Sequence, residues 1–301
     1  MNKKKILFVI VPCILIALLL LASFVYEFGF KNQVKPEMIK YDENGELAGR
    51  APFPPSLLQP FGTDRNANDL GLRLLEGAKY TILFALGAAI LRIVAGVFAG
   101  SFFTFLPRTL QSMAKPFFIP YQYIPSFILV LVLIWPMELI KNDIGYTPMI
   151  IYQFFVIVLV GIVPVMLLMS SEIQQTLKEP YIQVSYHLGA SNKHIMFKHI
   201  LPVLRKRIFI LFFQQIIQVL LLLIYLGVFE LFIGGDKPGG IFGDEESSRS
   251  LSQSGEWAGM IGQSKFDLMT APWIVLGPGV AFILLIFLLN IVLNYLLYHE
   301  K

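Results

Sequence analysis

The chain has 301 residues, 56% of them hydrophobic and 15% charged, and a mean hydropathy of +0.68, against roughly 45–50% apolar and about 25% charged in soluble domains. This excludes a soluble enzyme with one or two ordinary cores, a disordered chain and a fibrous one, while the single cysteine, Cys13, excludes an internal disulfide and a cysteine-based metal cluster. The net charge of +4 matters less than where the charges lie, because lysine and arginine orient the loops of a membrane chain.

Six stretches are long and apolar enough to cross a hydrocarbon core of about 30 Å at 1.5 Å per helical residue. In chain order they are Ile6 to Tyr26, Tyr80 to Leu106, Phe117 to Leu139, Met149 to Ser170, Ile208 to Phe232 and Trp273 to Tyr298. Continuous apolar blocks such as residues 219–225 leave no polar face, so the period-two alternation of a membrane β-barrel is missing. The reading is all-α, with six transmembrane helices. The first run follows Lys3, Lys4 and Lys5 as a signal peptide would, yet it is too long for an h-region and lacks a small-x-small cleavage site, so it is read as a retained helix.

With a cytoplasmic N-terminus, the inside segments hold 12 basic against 3 acidic residues, and the outside segments 11 against 15. The bias of lysine and arginine in the short loops gives an N-in, C-in topology. The expected organisation is an N-terminal helix (1–26), an outer loop (27–79) and a five-helix core (80–298). That core carries an inner loop (171–207) and an outer loop (233–272). The outer stretch from Gly234 to Gly255 is rich in Gly and Ser and holds the acidic run Asp244, Glu245, Glu246, a poor core but an adaptable exposed surface.

The inner loop 171–207 has apolar residues at helical spacing, interrupted by Gly189-Ala-Ser191. Two short helices fit. The first runs from Pro180 to Leu188, with Pro at N1, Tyr181, Val184, Ser185 and Leu188 on one face, and Gly189 at the C′ position. Ser191 caps the second, which runs from Asn192 to Ile200 and is closed by Pro202. By itself the pattern describes an amphipathic hairpin on the membrane surface.

Residues 181–202, with the Gly-Ala-Ser turn and the ending His199-Ile-Leu-Pro202, resemble the EAA loop of binding-protein-dependent ABC importer permeases, which that family keeps between spans four and five. Pro60-Phe-Gly-Thr-Asp64 and residues 73–79 resemble the segment before span two in the C-type subunit of oligopeptide and dipeptide permeases. Glu256-Trp-Ala-Gly-Met260 and Ala271-Pro-Trp273 resemble its entry to span six. Gln183, Val184 and Ser185 stand where the family usually has Glu, Ala and Ala.

The resemblance implies a type I ABC importer permease fold in a prokaryotic cytoplasmic membrane and a role in peptide import. The partners it implies are a second homologous permease subunit, two cytoplasmic ATPase subunits that use ATP and Mg, an external substrate-binding protein and the lipid bilayer, with no nucleic acid. Contact with the ATPase falls to Tyr181, Gln183, Ser185, Leu188, Gly189, Ala190, Ser191, His199 and Pro202. A permease for nickel or another small solute shares these motifs, and a transport-inactive scaffold is the further alternative.

No Gly-x-x-x-x-Gly-Lys-Ser/Thr occurs, so no nucleotide and no cofactor is expected on this chain. Arg92, twelve residues into span two, must face protein or water. It is either a partner for carbonyls or for a carboxylate, or a residue of the translocation pathway. Gln214 and Gln218, one turn apart, either line a pore or bond between helices. His194 and His199, five apart, splay around an α-helix, and with His187 and His299 they make no metal site. An intramembrane hydrolase would need paired aspartates, a Ser–His pair or His-Glu-x-x-His, and none is present.

Overall fold

The computed structural model describes residues 3–31, 38–41, 47–57, 59–239 and 249–298. Helix α1 (Lys3–Gly29) is apolar on nearly every face and lies at the edge of the bundle against α2 (Leu70–Thr104) and α11 (Trp273–Tyr298). Its C-terminal end is fastened by charge: Lys79, its side chain only 4% exposed, pairs with Glu27 at 3.0 Å, and Lys31 pairs with Glu76 at 2.6 Å. A lysine at that depth is retained only with a carboxylate beside it.

Helix α2 starts ten residues before the apolar run, where Asp69 accepts from Leu72 N at 3.0 Å as the N-cap. It packs along α6 (Tyr146–Thr176). Gly96 and Gly100, a Gly-x-x-x-Gly pair, let the two backbones approach so closely that a Cβ at Gly100 would sit 2.7 Å from Met166 O. Helices α9 (Leu201–Val228) and α11 complete the bundle. Ile82, Ala85, Ile157, Leu223 and Phe282 lie at its centre.

The third crossing departs from the sequence expectation. Residues 117–139 are not one helix: α3 (Arg108–Tyr121) and α4 (Ser126–Glu138) meet at 87°. Pro125 has no N–H to continue the ladder and disfavours helical geometry at Ile124, so the chain turns through Tyr123 N→Pro120 O and Ile124 N→Tyr121 O bonds of 3.0 and 3.3 Å. Among the described residues, five helices are long and apolar enough to cross a membrane, and six if the bent pair counts as one span. A short α5 (Lys141–Ile144) leads into α6.

Two antiparallel hairpins, β1 (Ile39–Tyr41) with β2 (Leu47–Arg50) and β3 (Asp236–Gly239) with β4 (Arg249–Ser252), add a little strand to the all-α expectation. They sit in the segments 27–79 and 233–272. The acidic run 244–246 lies outside the described residues.

The motifs before spans two and six, some 190 residues apart, meet in one cap. Trp257 Nε1, on α10 (Trp257–Gln263), donates to Leu74 O at 2.7 Å, and Trp273 Nε1 donates to Thr63 O at 3.2 Å. Asp267 takes Arg65 at 2.5 Å. Glu256, 1% exposed, accepts from Ile233 N at 3.0 Å and from the hydroxyls of Ser252 and Ser254.

Candidate functional site

At the opposite end of the bundle, residues 177–200 form the expected hairpin. Helix α7 (Pro180–His187) begins with Pro180 at N1. It ends in a full Schellman motif, with Gly189 N donating to Tyr186 O at 2.9 Å and Ala190 N to Ser185 O at 3.0 Å. Gly189 has φ +87°. A Cβ there would touch nothing within 4 Å, so close approach of a neighbour is not the constraint. The left-handed backbone is.

Ser191 then caps α8 (Asn192–Ile195), its Oγ accepting from His194 N at 3.3 Å. Tyr186 Oη donates to Asn192 Oδ1 at 3.0 Å and ties the two arms together. Partial burial pushes the Tyr186 phenol above its ordinary pKa, so it remains a donor through neutral and mildly alkaline pH.

The hairpin has two faces. Ile182 and Ile195 are fully buried and belong to one cluster with Met169 and Ile173 of α6 and Leu204 and Leu211 of α9. Outward stand Tyr181, Val184 and Leu188, 46%, 56% and 83% exposed, with Gln183, Ser191 and the half-buried Ser185, Ala190 and His199 around them. Ile182 was not singled out in the sequence, although its place off the Tyr181–Val184–Leu188 face at helical spacing is the signal that could have found it.

Two expectations fail in the second arm, for one reason. Pro202 does not close the helix: residues 192–228 run on as one continuous element, with a π turn at Met196–Ile200 and Pro202 in the first turn of α9. The wide turn, sealed by Leu201 N bonding to Met196 O, opens the ladder where the proline lacks an N–H and its ring would strike the carbonyl four residues back. The added residue per turn also rotates His199 toward His194, ring centroids 5.8 Å apart and not splayed, with Tyr181 6.2 Å from His199. His299 lies outside the described residues, among which no group of three or more His, Cys, Asp or Glu is placed to hold a metal ion.

Midway along the bundle a second polar group gathers. Arg92, 3% exposed, donates from Nε and Nη2 to Ile157 O at 3.1 and 2.7 Å and from Nη1 to Gln215 Oε1 at 3.2 Å. Gln215 Nε2 donates on to Gln218 Oε1 at 3.0 Å. Arg92 therefore meets a carbonyl and an amide inside the bundle. Gln218 is exposed, and Gln214 is half-buried and outside this chain of bonds. Gln215, buried between them, is the member that sequence reasoning passed over.

Residues 92–299 match the family model described as binding-protein-dependent transport system inner membrane component. The chain is 27% identical over 151 residues to the inner membrane ABC transporter permease protein YejE of Escherichia coli (strain K12). It is 28% identical over 170 residues to the oligopeptide transport system permease protein OppC of Bacillus subtilis (strain 168), and 25% identical over 282 residues to the peptide transport system permease protein SapC of Haemophilus influenzae. These matches cover 50%, 56% and 89% of the chain and 42%, 52% and 83% of the relatives, so the first two are spanned over about half their length.

Proposed function

The chain belongs to the family of binding-protein-dependent transport system inner membrane components, and from that membership we propose that it forms half of the translocation pathway of an ATP-driven peptide importer. Its partners are a second, homologous permease subunit, two cytoplasmic ATPase subunits that bind ATP and Mg, and an external binding protein. The observation that carries this reading is the two-faced hairpin of residues 180–200. Its apolar outer face suits a protein cleft, and its inner face is locked to α6 and α9 through Ile182 and Ile195. A close-packed root of this kind passes displacement on without absorbing it. A closing ATPase dimer that moves the hairpin therefore moves both helices.

Peptide as the substrate is supported by the relatives named for oligopeptide and peptide transport, at 28% and 25% identity. Nickel or another small solute is the competing cargo. A tagged chain purified from its native membrane is expected to bring down two ATPases, a second permease and a binding protein loaded with peptide. A binding protein loaded with metal or another solute would reject the peptide assignment alone, and a chain that purifies without an ATPase would support the scaffold reading.

The topology makes its own prediction, since the hairpin must face the cytoplasm. In a Cys13→Ala background, Leu57→Cys, at a fully exposed position of the first outer loop, should be modified by an impermeant thiol reagent in intact cells, and Ser191→Cys only after the membrane is opened. Modification of Ser191→Cys from outside would reverse the assignment.

A further inference from the structure

Gln218 is held in one amide orientation by its neighbours. Arg92 offers only donors, so Gln215 must turn its Oε1 toward the guanidinium and its Nε2 toward Gln218. Gln218 must then turn its Oε1 inward to accept that bond, at 3.0 Å, which leaves its N–H groups pointing away from the relay. Among the described residues those N–H groups have no acceptor.

The surroundings say what they face. At 100° per residue Gln214, Gln218, Leu221 and Tyr225 fall within an arc of about 60° on α9, and the last three are exposed. Tyr225 stacks on Phe127 of α4, 5.2 Å between centroids, so the stripe runs beside the bent third crossing. The other side of α9 is different. There Phe209 and Phe212, with Ile90, Val94 and Leu296, line a cavity of about 930 Å³ whose charged residues, Arg205 and Lys206, both lie in the first turns of α9. An apolar wall of that kind suits hydrocarbon, whereas an amide with free N–H groups there costs several kcal/mol.

We propose that Arg92, acting through Gln215, fixes Gln218 as a hydrogen-bond donor on the water-lined wall of the pathway, where it takes a carbonyl or carboxylate oxygen of the passing substrate. This rests on the reading of the chain as half of a pathway. Arg92 is a positioning residue in this arrangement and does not meet the substrate. At residue 218 the relay turns the amide donors outward, toward acceptors such as a peptide backbone presents.

Two readouts test this on the assembled transporter in lipid vesicles, in a Cys13→Ala background. Gln218→Cys should react with a small charged thiosulfonate, and Phe209→Cys on the apolar side should not. If Gln218→Cys stays unmodified and instead cross-links to the second permease subunit, the stripe is a subunit contact and the proposal is wrong.

The second readout is a cycle on import of an alanyl tripeptide. Gln215→Glu still accepts from Arg92 but cannot donate to Gln218. It is expected to raise KM about three- to tenfold with kcat nearly unchanged, as loss of one hydrogen bond made equally in ground and transition states requires. The double variant Gln215→Glu/Gln218→Leu should then be no worse than Gln218→Leu alone. Multiplying effects would reject the relay. A wild-type complex that ignores the tripeptide would reject the peptide assignment, and the thiol readout would still decide where residue 218 faces.

Discussion

Replacing Gly189 by valine is expected to leave the chain in the membrane and abolish ATP-driven uptake. The glycine sits at φ +87° in the turn that joins the two arms of the hairpin. A β-branched residue is strained there by about 1–3 kcal/mol. Nothing of this chain lies within 4 Å of the missing Cβ, so within the chain the strain lies in the backbone. The strain is relieved by giving up the bonds from Gly189 N and Ala190 N, which swings Tyr181, Val184 and Leu188 away from the position that the root of the hairpin sets. Spans packed elsewhere are untouched, so insertion survives while uptake and substrate-stimulated ATP hydrolysis in vesicles fall to background.

Gly189→Asn should keep a substantial fraction of both activities, because asparagine tolerates the left-handed region. Gln183→Glu, at an exposed position, should behave like the parent. Full uptake by the valine variant would mean that the hairpin does not transmit the ATPase stroke.

The second large effect is expected at the other end of the bundle. Glu256→Leu removes the acceptor for Ile233 N and for the hydroxyls of Ser252 and Ser254, all three gathered on one buried carboxylate. A buried donor left unpaired costs about 1–3 kcal/mol. The two hydroxyls can rotate toward other acceptors and the amide of Ile233 cannot, so a total near 3 kcal/mol is expected. Glu256 also occupies the N-cap position of α10, without a side-chain bond to the helix's first turn, and stands next to Trp257, whose ring rests edge-on against Phe282, 5.6 Å between centroids. Its loss should loosen the contact between the cap and α11. The measurement is thermal unfolding in detergent together with protease cleavage between residues 233 and 256. Glu256→Gln, which keeps one acceptor oxygen, should lose roughly half as much. An unchanged melting temperature for Glu256→Leu would show that the cap is not held through this carboxylate.

Hydropathy made four of the crossings and the edge helix legible, because a membrane demands about twenty apolar residues whatever the tertiary contacts are. The hairpin was legible for a different reason: proline at N1, glycine at C′ and serine at the N-cap are local backbone requirements, satisfied within a few residues. The break in the third crossing was hidden by the same arithmetic that revealed the others. Proline alone does not reveal it, since Pro12, Pro164 and Pro278 sit inside helices that continue through them. What differs at 120–125 is a pair of prolines five apart beside few neighbours, and neighbours are a tertiary fact.

The same holds for Gln215. The i, i+4 rule selects Gln214 and Gln218 as a pair, but which glutamine meets Arg92 is fixed by the rotation of α9 against α2 and α6, set by packing over its whole length. The π turn at 196–200, which brought His194 and His199 together and carried the helix past Pro202, has no residue signature beyond that proline.

The claim on which the rest depends is that the outer face of the hairpin is a contact with an ATPase. A photoreactive residue in place of Leu188, just past the end of α7 and the most exposed large apolar side chain of the hairpin, tests it in native membranes without reconstitution or a known substrate. Irradiation is expected to yield one dominant protein adduct whose peptides carry a nucleotide-binding loop, and the adduct should diminish when Gly189→Val is added. Adducts with lipid alone, at a yield that Gly189→Val leaves unchanged, would make the hairpin a surface-lying connector and contradict the coupling role.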